Sequence, residues 1–297
     1  MERQFLNTQK TTRPRSIDEL RDISWRLSRQ IIDITTKASS GHPSSSLSAI
    51  DILVALYFGG IMNYDPSQPN WSDRDRFILS KGHGAPGLYV TLAEAGFFDP
   101  DLLPTFRKLG SPLEGHPNMR VLPGVEASTG SLGQGLSIGL GHALAARVDG
   151  RSYRVYVMIG DGEADEGQIW EAGMAAAKYK VDNLTVLLDH NKYQQTGPVS
   201  EVMPALFPIV DKWRAFGWFV EELNGHNMEE VMSTLKKVQD IKDQPQMLIC
   251  HTLKGKGLSP FEKDDVNRKH GVPLTEEEAT IALAELDKQY GRSGGGD

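Results

Sequence analysis

The chain has 297 residues, with 32 Lys and Arg against 39 Asp and Glu, a net charge of −7 and 39% hydrophobic residues. This is the composition of an ordinary globular protein, and an acidic chain without a basic stripe or a run of roughly 18 apolar residues argues against nucleic-acid and membrane partners. The single cysteine, Cys250, permits no internal disulfide, and the polar start carries no apolar signal region, so we expect a cytoplasmic protein.

The N-terminal part is predicted to contain a tail and two helices. Residues 1–15 show no apolar periodicity and are predicted to form an N-terminal tail. Over residues 17–34, apolar side chains recur at steps of three and four, as on one face of a helix. Ser16 precedes this pattern and Glu19 follows three residues later, which is the arrangement of a capping box. A second apolar helix is predicted around residues 50–57.

The rest of the chain alternates between short apolar runs and helical patterns. Such alternation predicts an α/β fold, with a doubly wound, mainly parallel sheet and helices on both faces. No linker interrupts residues 16–290, so we expect one domain there, followed by a flexible Gly-rich tail at 291–297. Strands are predicted at 76–79, 155–159, 184–188, 217–222 and 246–250, and helices at 136–147, 168–181, 205–215, 227–239 and 275–290.

Two oxygen-bearing side chains follow neighbouring predicted strands. Asp161, between two glycines, comes directly after one strand, and Asn191 follows the end of the next. Both therefore lie at the carboxyl edge of a parallel sheet, where such folds bind ligands. Carboxylate and amide oxygens suit Mg²⁺ or Ca²⁺, with a phosphate-bearing ligand completing the coordination shell. The structural alternative is a tight strand–turn–helix in which Asp161 is an N-cap.

Histidines in loops are the second signal. Of the eight histidines, four stand in Gly- or Pro-rich loops, at His42, His83, His116 and His270. Such side chains can donate to phosphate or hydroxyl oxygens and can move protons near neutral pH. Their spacing is not that of a zinc site, so no zinc site is expected. We interpret His142 and His251 as structural, and favour the same interpretation for His190 and His226.

Two further loops are candidate ligand contacts. The Gly-rich segment 128–135 leads into a predicted helix and can bring backbone N–H groups against a ligand, although it matches neither a Walker A nor a Rossmann fingerprint. Lys254 and Lys256 alternate with glycines after the strand at 246–250, where a lysine would meet an anion at the same sheet edge. For this second segment the alternative is a solvated basic loop.

Taken together, these segments resemble the N-terminal, diphosphate-binding part of the transketolase family, from about residue 16 to residue 275. A Gly-Asp-Gly segment with a distal Asn is shared by many thiamine diphosphate enzymes, and the histidine loops narrow the resemblance to transketolases. The matching segments occur in the family's order at 40–43 (Ser-Gly-His-Pro), 79–84 (Leu-Ser-Lys-Gly-His-Gly), 114–117 (Glu-Gly-His-Pro), 129–135 (Thr-Gly-Ser-Leu-Gly-Gln-Gly), and 160–162 with Asn191.

The resemblance implies a bound thiamine diphosphate with Mg²⁺, for which Ca²⁺ or Mn²⁺ are alternative ions. The implied metal ligands are Asp161, Asn191 and the backbone carbonyl of Tyr193, a position that is usually aliphatic in the family. The other implied cofactor contacts are His83, Gly162, Lys254 and His270 at the diphosphate, and Ser45, Gly130, Ser131 and Leu132 around the aminopyrimidine.

The resemblance also implies a reaction. His42, His116 and His270 would face the sugar hydroxyls and assist proton transfer, and Glu166 matches an acid that couples sites across the family's dimer. The implied reaction moves a two-carbon glycolaldehyde unit from a ketose, such as a sugar phosphate, to an aldose. The cofactor would supply the carbanion chemistry, and the protein would supply the acids and bases.

Assembly is the last implication of the resemblance. Family members with both parts in one chain are far longer, and their second domain binds the pyrimidine and supplies its activating glutamate. This chain ends at Asp297, where the linker to that domain would begin. We therefore expect the N-terminal subunit of a split transketolase, paired with a separate pyrimidine-binding C-terminal subunit in an α2β2 assembly.

Two alternatives stay open. The α subunit of a 2-oxo acid dehydrogenase shares the Gly-Asp-Gly segment, but the Gly-His loops suit a polyhydroxylated substrate better. A non-catalytic, thiamine diphosphate-binding regulatory domain is the second alternative, and the retained Asp161, Asn191, His83 and His270 argue against it. The sugar itself is not predicted, because phosphorylated, branched and sulfonated donors all fit the sequence.

Overall fold

The computed structural model describes residues 13–262 and 269–292. Most of the two predicted tails, residues 1–12 and 293–297, lies outside the described residues. The described chain forms an α/β fold around a five-stranded sheet in which every strand pairing is parallel. The predicted fold class is therefore confirmed.

Seven short strands are described. They are β1 Arg76–Leu79, β2 Val155–Gly160, β3 Leu184–His190, β4 Tyr193–Gln194, β5 Gly197–Pro198, β6 Phe219–Asn224 and β7 Gln246–His251. The large sheet has the order β1–β2–β3–β7–β6, and β4 and β5 form a separate antiparallel pair. Every residue of β2 and β3 is buried, as expected of parallel strands covered on both faces.

The described residues form ten α-helices. They are α1 Ile17–Lys37, α2 Pro43–Phe58, α3 Ala85–Glu94, α4 Gln134–Val148, α5 Gly167–Lys178, α6 Val199–Val202, α7 Ile209–Ala215, α8 Met228–Lys237, α9 Ser259–Glu262 and α10 Glu276–Gln289. The predicted capping box at the start of α1 is confirmed, since Ser16 and Glu19 each accept a hydrogen bond from the other's backbone N–H. None of the described helices has the length and apolar character needed to cross a membrane.

Two apolar cores cover the two faces of the large sheet. Alternate residues of β2 belong to opposite cores, with Tyr156 and Met158 in one and Val157 and Ile159 in the other. The first core is completed by side chains of α1, α2, α3, α8 and α10, and the second by side chains of α4, α5 and α7. The free Cys250 is buried in the first core.

Two predicted elements need correction, and one helix is not predicted. The predicted helix at 205–215 is wrong in its first turn, because Pro208 restricts the residue before it to extended backbone and α7 begins only afterwards. The predicted strand at 217–222 begins two residues later, since Gly217 has a left-handed φ of 91°. The sequence pattern predicts no helix at α3, whose Pro86 sits in the first turn, where proline is tolerated.

The carboxyl ends of the central strands form one edge of the sheet. Gly160 at the end of β2 is level with Asp189 of β3, and His190 is level with His251 of β7. The segments that follow these strands therefore leave the sheet side by side. This edge carries the predicted ligand residues.

Candidate functional site

A cavity of about 350 Å³ opens at this edge. A larger cavity, of about 700 Å³, lies elsewhere between α1, α8 and the end of α10. Its lining includes His226 and Lys256, but none of the residues that are expected to bind the cofactor, the metal or the sugar. The cavity at the sheet edge is therefore the candidate site. It is lined by His42, Ser45, Lys81, His83, His116, Gly130, Leu132, Gly160, Asp161, Gly162, Glu163, Asn191, Tyr193, Gln194, Gln195, Thr196, Lys254 and His270.

Most of the predicted site residues are brought together on this wall, although they come from segments far apart in the chain. Ser131 and Glu166 are the exceptions, because both are exposed and neither belongs to the wall. Glu166 instead occupies the position just before α5. The structure thus brings the other predicted site residues together around one cavity and places Ser131 and Glu166 outside it.

Asp161 is 1% exposed and is held by two hydrogen bonds. Its Oδ1 lies 2.5 Å from Nδ1 of His190, and its Oδ2 accepts a hydrogen bond from the backbone N–H of Lys192 at 2.6 Å. Asp161 stands at the N-cap position of the short turn Gly162–Asp165, as the structural alternative has it, but its side chain makes no capping hydrogen bond there. Burial raises the pKa of Asp161, and His190 opposes this effect. A cation beside this carboxylate would favour its charged form.

A buried ion pair orients Asn191. Its Nδ2 donates to Oδ2 of Asp189 at 3.2 Å, while its Oδ1 accepts from the backbone N–H of Tyr193 at 3.1 Å. Asp189 is fully buried and also pairs with the ammonium of Lys81. Burial alone would raise the pKa of Asp189, but Lys81 lowers it below its usual value. The charged pair therefore fixes which end of the Asn191 amide is the oxygen.

Three of the loop histidines form a cluster. The ring centroids of His42 and His83 are 5.2 Å apart, those of His83 and His270 are 5.2 Å apart, and those of His42 and His270 are 5.5 Å apart. His116 lies on the same cavity wall and packs against Gly130. The loops at the start of α2, after β1 and before α10 thus meet at one point.

Burial lowers the pKa of all four of these histidines. The pKa falls to about 4 for His42 and to about 3 for His270, well below the usual value for His83, and less far for His116. Neighbouring cations add to the effect, as where Nζ of Lys254 lies 3.0 Å from Nδ1 of His270. The four imidazoles are therefore neutral at pH 7. A neutral imidazole donates one hydrogen bond and accepts another, which suits contact with hydroxyl groups.

Glu163 ties the Gly-rich loop to the sheet edge. Its carboxylate accepts hydrogen bonds from the backbone N–H of Gly133 at 3.0 Å, from the backbone N–H of Gly160 at 3.2 Å, and from the hydroxyl of Ser80. Burial raises the pKa of Glu163. This one carboxylate thus holds the ends of β1 and β2 against the start of α4, which places Gly130 on the cavity wall.

The two lysines of segment 254–257 have separate environments. Both are buried, at 5% and 7% exposure, so the alternative of a solvated basic loop is wrong. Lys254 lines the cavity beside His270, whereas Lys256 contacts Asp51 through Nζ at 2.8 Å. Of the pair, Lys254 is therefore the candidate contact for an anion.

Four buried residues of this site were not predicted from the sequence. Lys81, Glu163, Asp189 and His190 all carry ionisable side chains with no more than 4% exposure. The sequence does carry a signal for Asp189, which directly follows the apolar residues 186–188, because a charge next to such a buried run needs a partner. The partner itself, Lys81, lies 108 positions earlier and carries no such signal.

The wall offers free polar atoms and an all-oxygen donor set. His42 Nδ1 and Gln194 Oε1 are buried and have no hydrogen-bond partner within the described part of the chain. Across the same residues, no group of three or more His, Cys, Asp or Glu side chains is arranged to hold a metal ion. The Asp161 carboxylate, the Asn191 amide and the Tyr193 carbonyl nevertheless supply the hard oxygens that Mg²⁺ prefers. These residues fit a cofactor that carries phosphate and a hard cation.

The fold is that of a thiamine diphosphate-binding domain. Residues 24–293 match the family described as transketolase, thiamine diphosphate binding domain. The chain belongs to the transketolase family.

Two related proteins of similar length are named as subunits of transketolases. The chain is 45% identical over 253 residues to the 6-deoxy-6-sulfo-D-fructose transketolase subunit of Clostridium sp. (strain MSTE9), which covers 85% of this chain and 90% of that protein. It is 44% identical over 259 residues to an apulose-4-phosphate transketolase subunit of Phocaeicola vulgatus, which covers 86% of this chain and 91% of that protein.

Solved transketolases share the fold over nearly the whole chain. The transketolase of Leishmania mexicana superposes with a TM-score of 0.82 at 30% sequence identity, covering 95% of this chain. This chain spans 42% of the length of that enzyme.

Proposed function

We propose that this chain is the thiamine diphosphate-binding subunit of a two-chain transketolase. With a separate pyrimidine-binding C-terminal subunit, it would transfer a two-carbon glycolaldehyde unit from a ketose to an aldose. The observation that carries the proposal is the cavity in which Asp161 and Asn191 lie with four neutral histidines. The two-chain form is supported by relatives that are named subunits and that this chain covers over 90% and 91% of their length.

In the proposed holoenzyme, oxygens of the sheet edge hold the metal ion. Asp161, Asn191 and the Tyr193 carbonyl bind Mg²⁺, for which Ca²⁺ or Mn²⁺ can substitute. When bound, thiamine diphosphate supplies the carbanion chemistry that breaks and forms the carbon–carbon bond. The contacts proposed for the cofactor are His83, Gly162, Lys254 and His270 at the diphosphate, and Ser45, Gly130, Leu132 and the backbone of Ser131 at the aminopyrimidine.

The histidines are proposed to bind the sugar and move its protons. His42, His116 and His270 are neutral at pH 7. His42 and His116 can therefore each offer one N–H donor and one basic nitrogen to the hydroxyl groups. Because Lys254 Nζ donates to Nδ1 of His270, the proton of that imidazole lies on Nε2. Nε2 of His270 is therefore the atom that donates to a substrate hydroxyl.

The proposed partner completes the active site. We propose an α2β2 assembly in the cytoplasm, in which the second chain binds the pyrimidine ring of the cofactor. Glu166 is exposed, which suits a role in contacts between subunits rather than in the cavity. The buried, unpaired thiol of Cys250 suits a reducing compartment.

The proposed donor is an anionic ketose. The two named relatives act on a sulfonated sugar and on a sugar phosphate, both of which carry a negative group. A sugar phosphate or sugar sulfonate is therefore the substrate class that we propose for this chain as well.

The proposal is tested with the purified chain and a separately expressed C-terminal transketolase subunit. Calorimetry should detect binding of thiamine diphosphate with Mg²⁺, and transfer between a ketose phosphate or sulfonate and an aldose should require both chains. Robust transfer by this chain alone would overturn the two-chain form. Absence of cofactor binding with the partner present would overturn the function, and turnover of 2-oxo acids alone would favour the dehydrogenase alternative.

A further inference from the structure

The segment Lys254–Gly257 has an unusual backbone. Gly255, Lys256 and Gly257 follow one another with φ values of 71°, 59° and 70°, in the left-handed region. Glycine adopts this region freely, whereas a residue with a side chain does so at a cost in free energy. Among the described residues other than glycine, Lys256 is the only one that combines a positive φ with burial. Interactions of its side chain must offset that cost.

The ammonium of Lys256 is fully hydrogen-bonded inside the protein. Its Nζ donates to Oδ1 of Asp51 at 2.8 Å, to the hydroxyl of Ser24 at 3.1 Å and to the hydroxyl of Tyr290 at 2.6 Å. A lysine has three N–H donors, so these three acceptors satisfy it. The acceptors come from α2, from α1 and from the end of α10, so the lysine joins the segment to three helices.

A second bond fixes the residue just before the segment. The backbone N–H of Leu253 donates to Nε2 of His226 at 2.9 Å, and Nδ1 of His226 lies 2.7 Å from Oδ2 of Asp51. Because Nε2 accepts, the imidazole proton is on Nδ1 and is donated to Asp51. Both anchors, through His226 and through Lys256, therefore end on the two oxygens of one carboxylate.

Lys254 lies between these two anchors. The anchored residues are its immediate predecessor, Leu253, and Lys256 two positions on, while Nζ of Lys254 reaches Nδ1 of His270 on the cavity wall. Asp51 belongs to α2, the same helix that presents Ser45 to the cavity. Helix α2 thus carries Ser45 on the cavity wall and, through the anchors that end on Asp51, also holds Lys254 in place.

We propose that Lys256 is a positioning residue, whose buried contact with Asp51 holds segment 254–257 so that Lys254 meets His270 in the cofactor cavity. The inference rests on the proposed function only for the identity of the ligand. Without the contacts of Lys256, nothing offsets the free-energy cost of the left-handed backbone at this residue. The segment then changes conformation, and Nζ of Lys254 moves away from Nδ1 of His270. The cavity then loses one of its cations and a fixed imidazole proton.

The first test follows His270 itself by NMR in chains with labelled histidine. The groups that face His270 are the rings of His42 and His83 and the ammoniums of Lys254 and Lys81. In the wild-type chain His270 should stay neutral to about pH 5, and in Lys256→Met its titration midpoint should rise by about one pH unit or more as Lys254 departs. The second readout is the dissociation constant of thiamine diphosphate with Mg²⁺, which should rise about tenfold.

Three variants make this test decisive. Lys254→Met should reproduce the change at His270, whereas Lys269→Met, which removes a neighbouring lysine bound to Glu278 instead, should leave both readouts as in the wild type. If Lys256→Met fails to fold because Asp51 is left charged and buried, the double variant Asp51→Asn/Lys256→Met removes both charges. It should show the same rise at His270.

The outcomes separate positioning from simple stabilisation. A lower melting temperature with an unchanged His270 titration and unchanged cofactor affinity would overturn the proposal. If the wild-type chain binds no thiamine diphosphate even with its partner subunit present, the proposed function fails, but the titration of His270 still decides whether Lys256 positions Lys254.

Discussion

Asp161 and Asp189 are two buried carboxylates, one strand apart, in opposite electrostatic settings. Asp189 is paired with Lys81, and its pKa is below the usual value. Asp161 has a raised pKa and is held by His190 and one backbone N–H. The protein therefore neutralises one charge internally and leaves the other poorly compensated. A site with this imbalance favours binding of a cation.

This contrast predicts different effects of removing each charge. In Asp161→Asn, we expect the stability of the cofactor-free chain to change by no more than about 1 kcal/mol, because a buried charge is lost and an acceptor is kept. Binding of thiamine diphosphate with Mg²⁺ should weaken by more than the roughly 10–100-fold that loss of an outer-shell partner causes. Chemical denaturation and calorimetry measure the two quantities.

Asp189→Asn is the matched variant. It leaves the ammonium of Lys81 buried without its carboxylate, so the cofactor-free chain should lose about 3–5 kcal/mol of stability. Equal destabilisation by the two substitutions would contradict the assignment of Asp161 to the cation.

At the scale of elements, the packing of α4 on the sheet depends on a close approach. A Cβ on Gly139 would lie 2.4 Å from Cγ2 of Val157 in β2, whereas a Cβ on Gly141 would meet nothing within 4 Å. The two glycines stand two residues apart on the same helix, one against the strand and one facing outward. They form a natural pair for separating packing from helix propensity.

We expect Gly139→Ala to destabilise the protein by about 1–3 kcal/mol, since α4 must move away from β2 to accept the methyl group. Gly141→Ala should instead stabilise it by about 0.5–1 kcal/mol, because alanine is the better helix former and no neighbour is displaced. Urea denaturation of the two variants checks both signs. Stabilisation by both would mean that the helix does not rest on Val157.

Much of the secondary structure could be predicted from the sequence, because the periodicity of apolar residues indicates which face of each helix or strand is buried. The Ser16 capping box, the apolar strand ending at Gly160 and the placement of Asp161 at the sheet edge all follow from local patterns. The start of α3 could not be predicted, since Pro86 is compatible with a loop and with a first helical turn. The Lys81–Asp189 pair depends on which strands are neighbours, which no local pattern contains.

For the whole molecule, groups from several elements set the response to acid. The pKa values of His42 and His270 in the folded protein are about 4 and about 3, against about 6.5 when unfolded. The unfolded chain therefore takes up these protons first, so stability is lost as the pH falls from about 6.5 toward 4. Burial opposes ionisation of Asp51, but Lys256 lowers its pKa, so its contribution is lost only below about pH 4.

We predict that the free energy of unfolding of the cofactor-free chain falls between pH 7 and pH 5, by roughly 1 kcal/mol or more for each of these two histidines. Urea denaturation at the two pH values measures the loss. The variant His270→Gln should lose less stability on acidification than the wild type. Equal stability of the wild-type chain at both pH values would contradict the depressed pKa values.

Helix α2 has no solvent-facing side, because all 16 of its residues are buried. Its amide hydrogens can therefore exchange with deuterium only when the core itself opens, and we expect them among the slowest in the chain. Ser45 sits on this helix and His42 immediately before it, so that part of the cavity wall belongs to the most protected unit of the molecule. A ligand would then find the α2 side of the cavity already in its final conformation. Any ordering of the protein upon ligand binding would be confined to the loops that form the rest of the cavity wall.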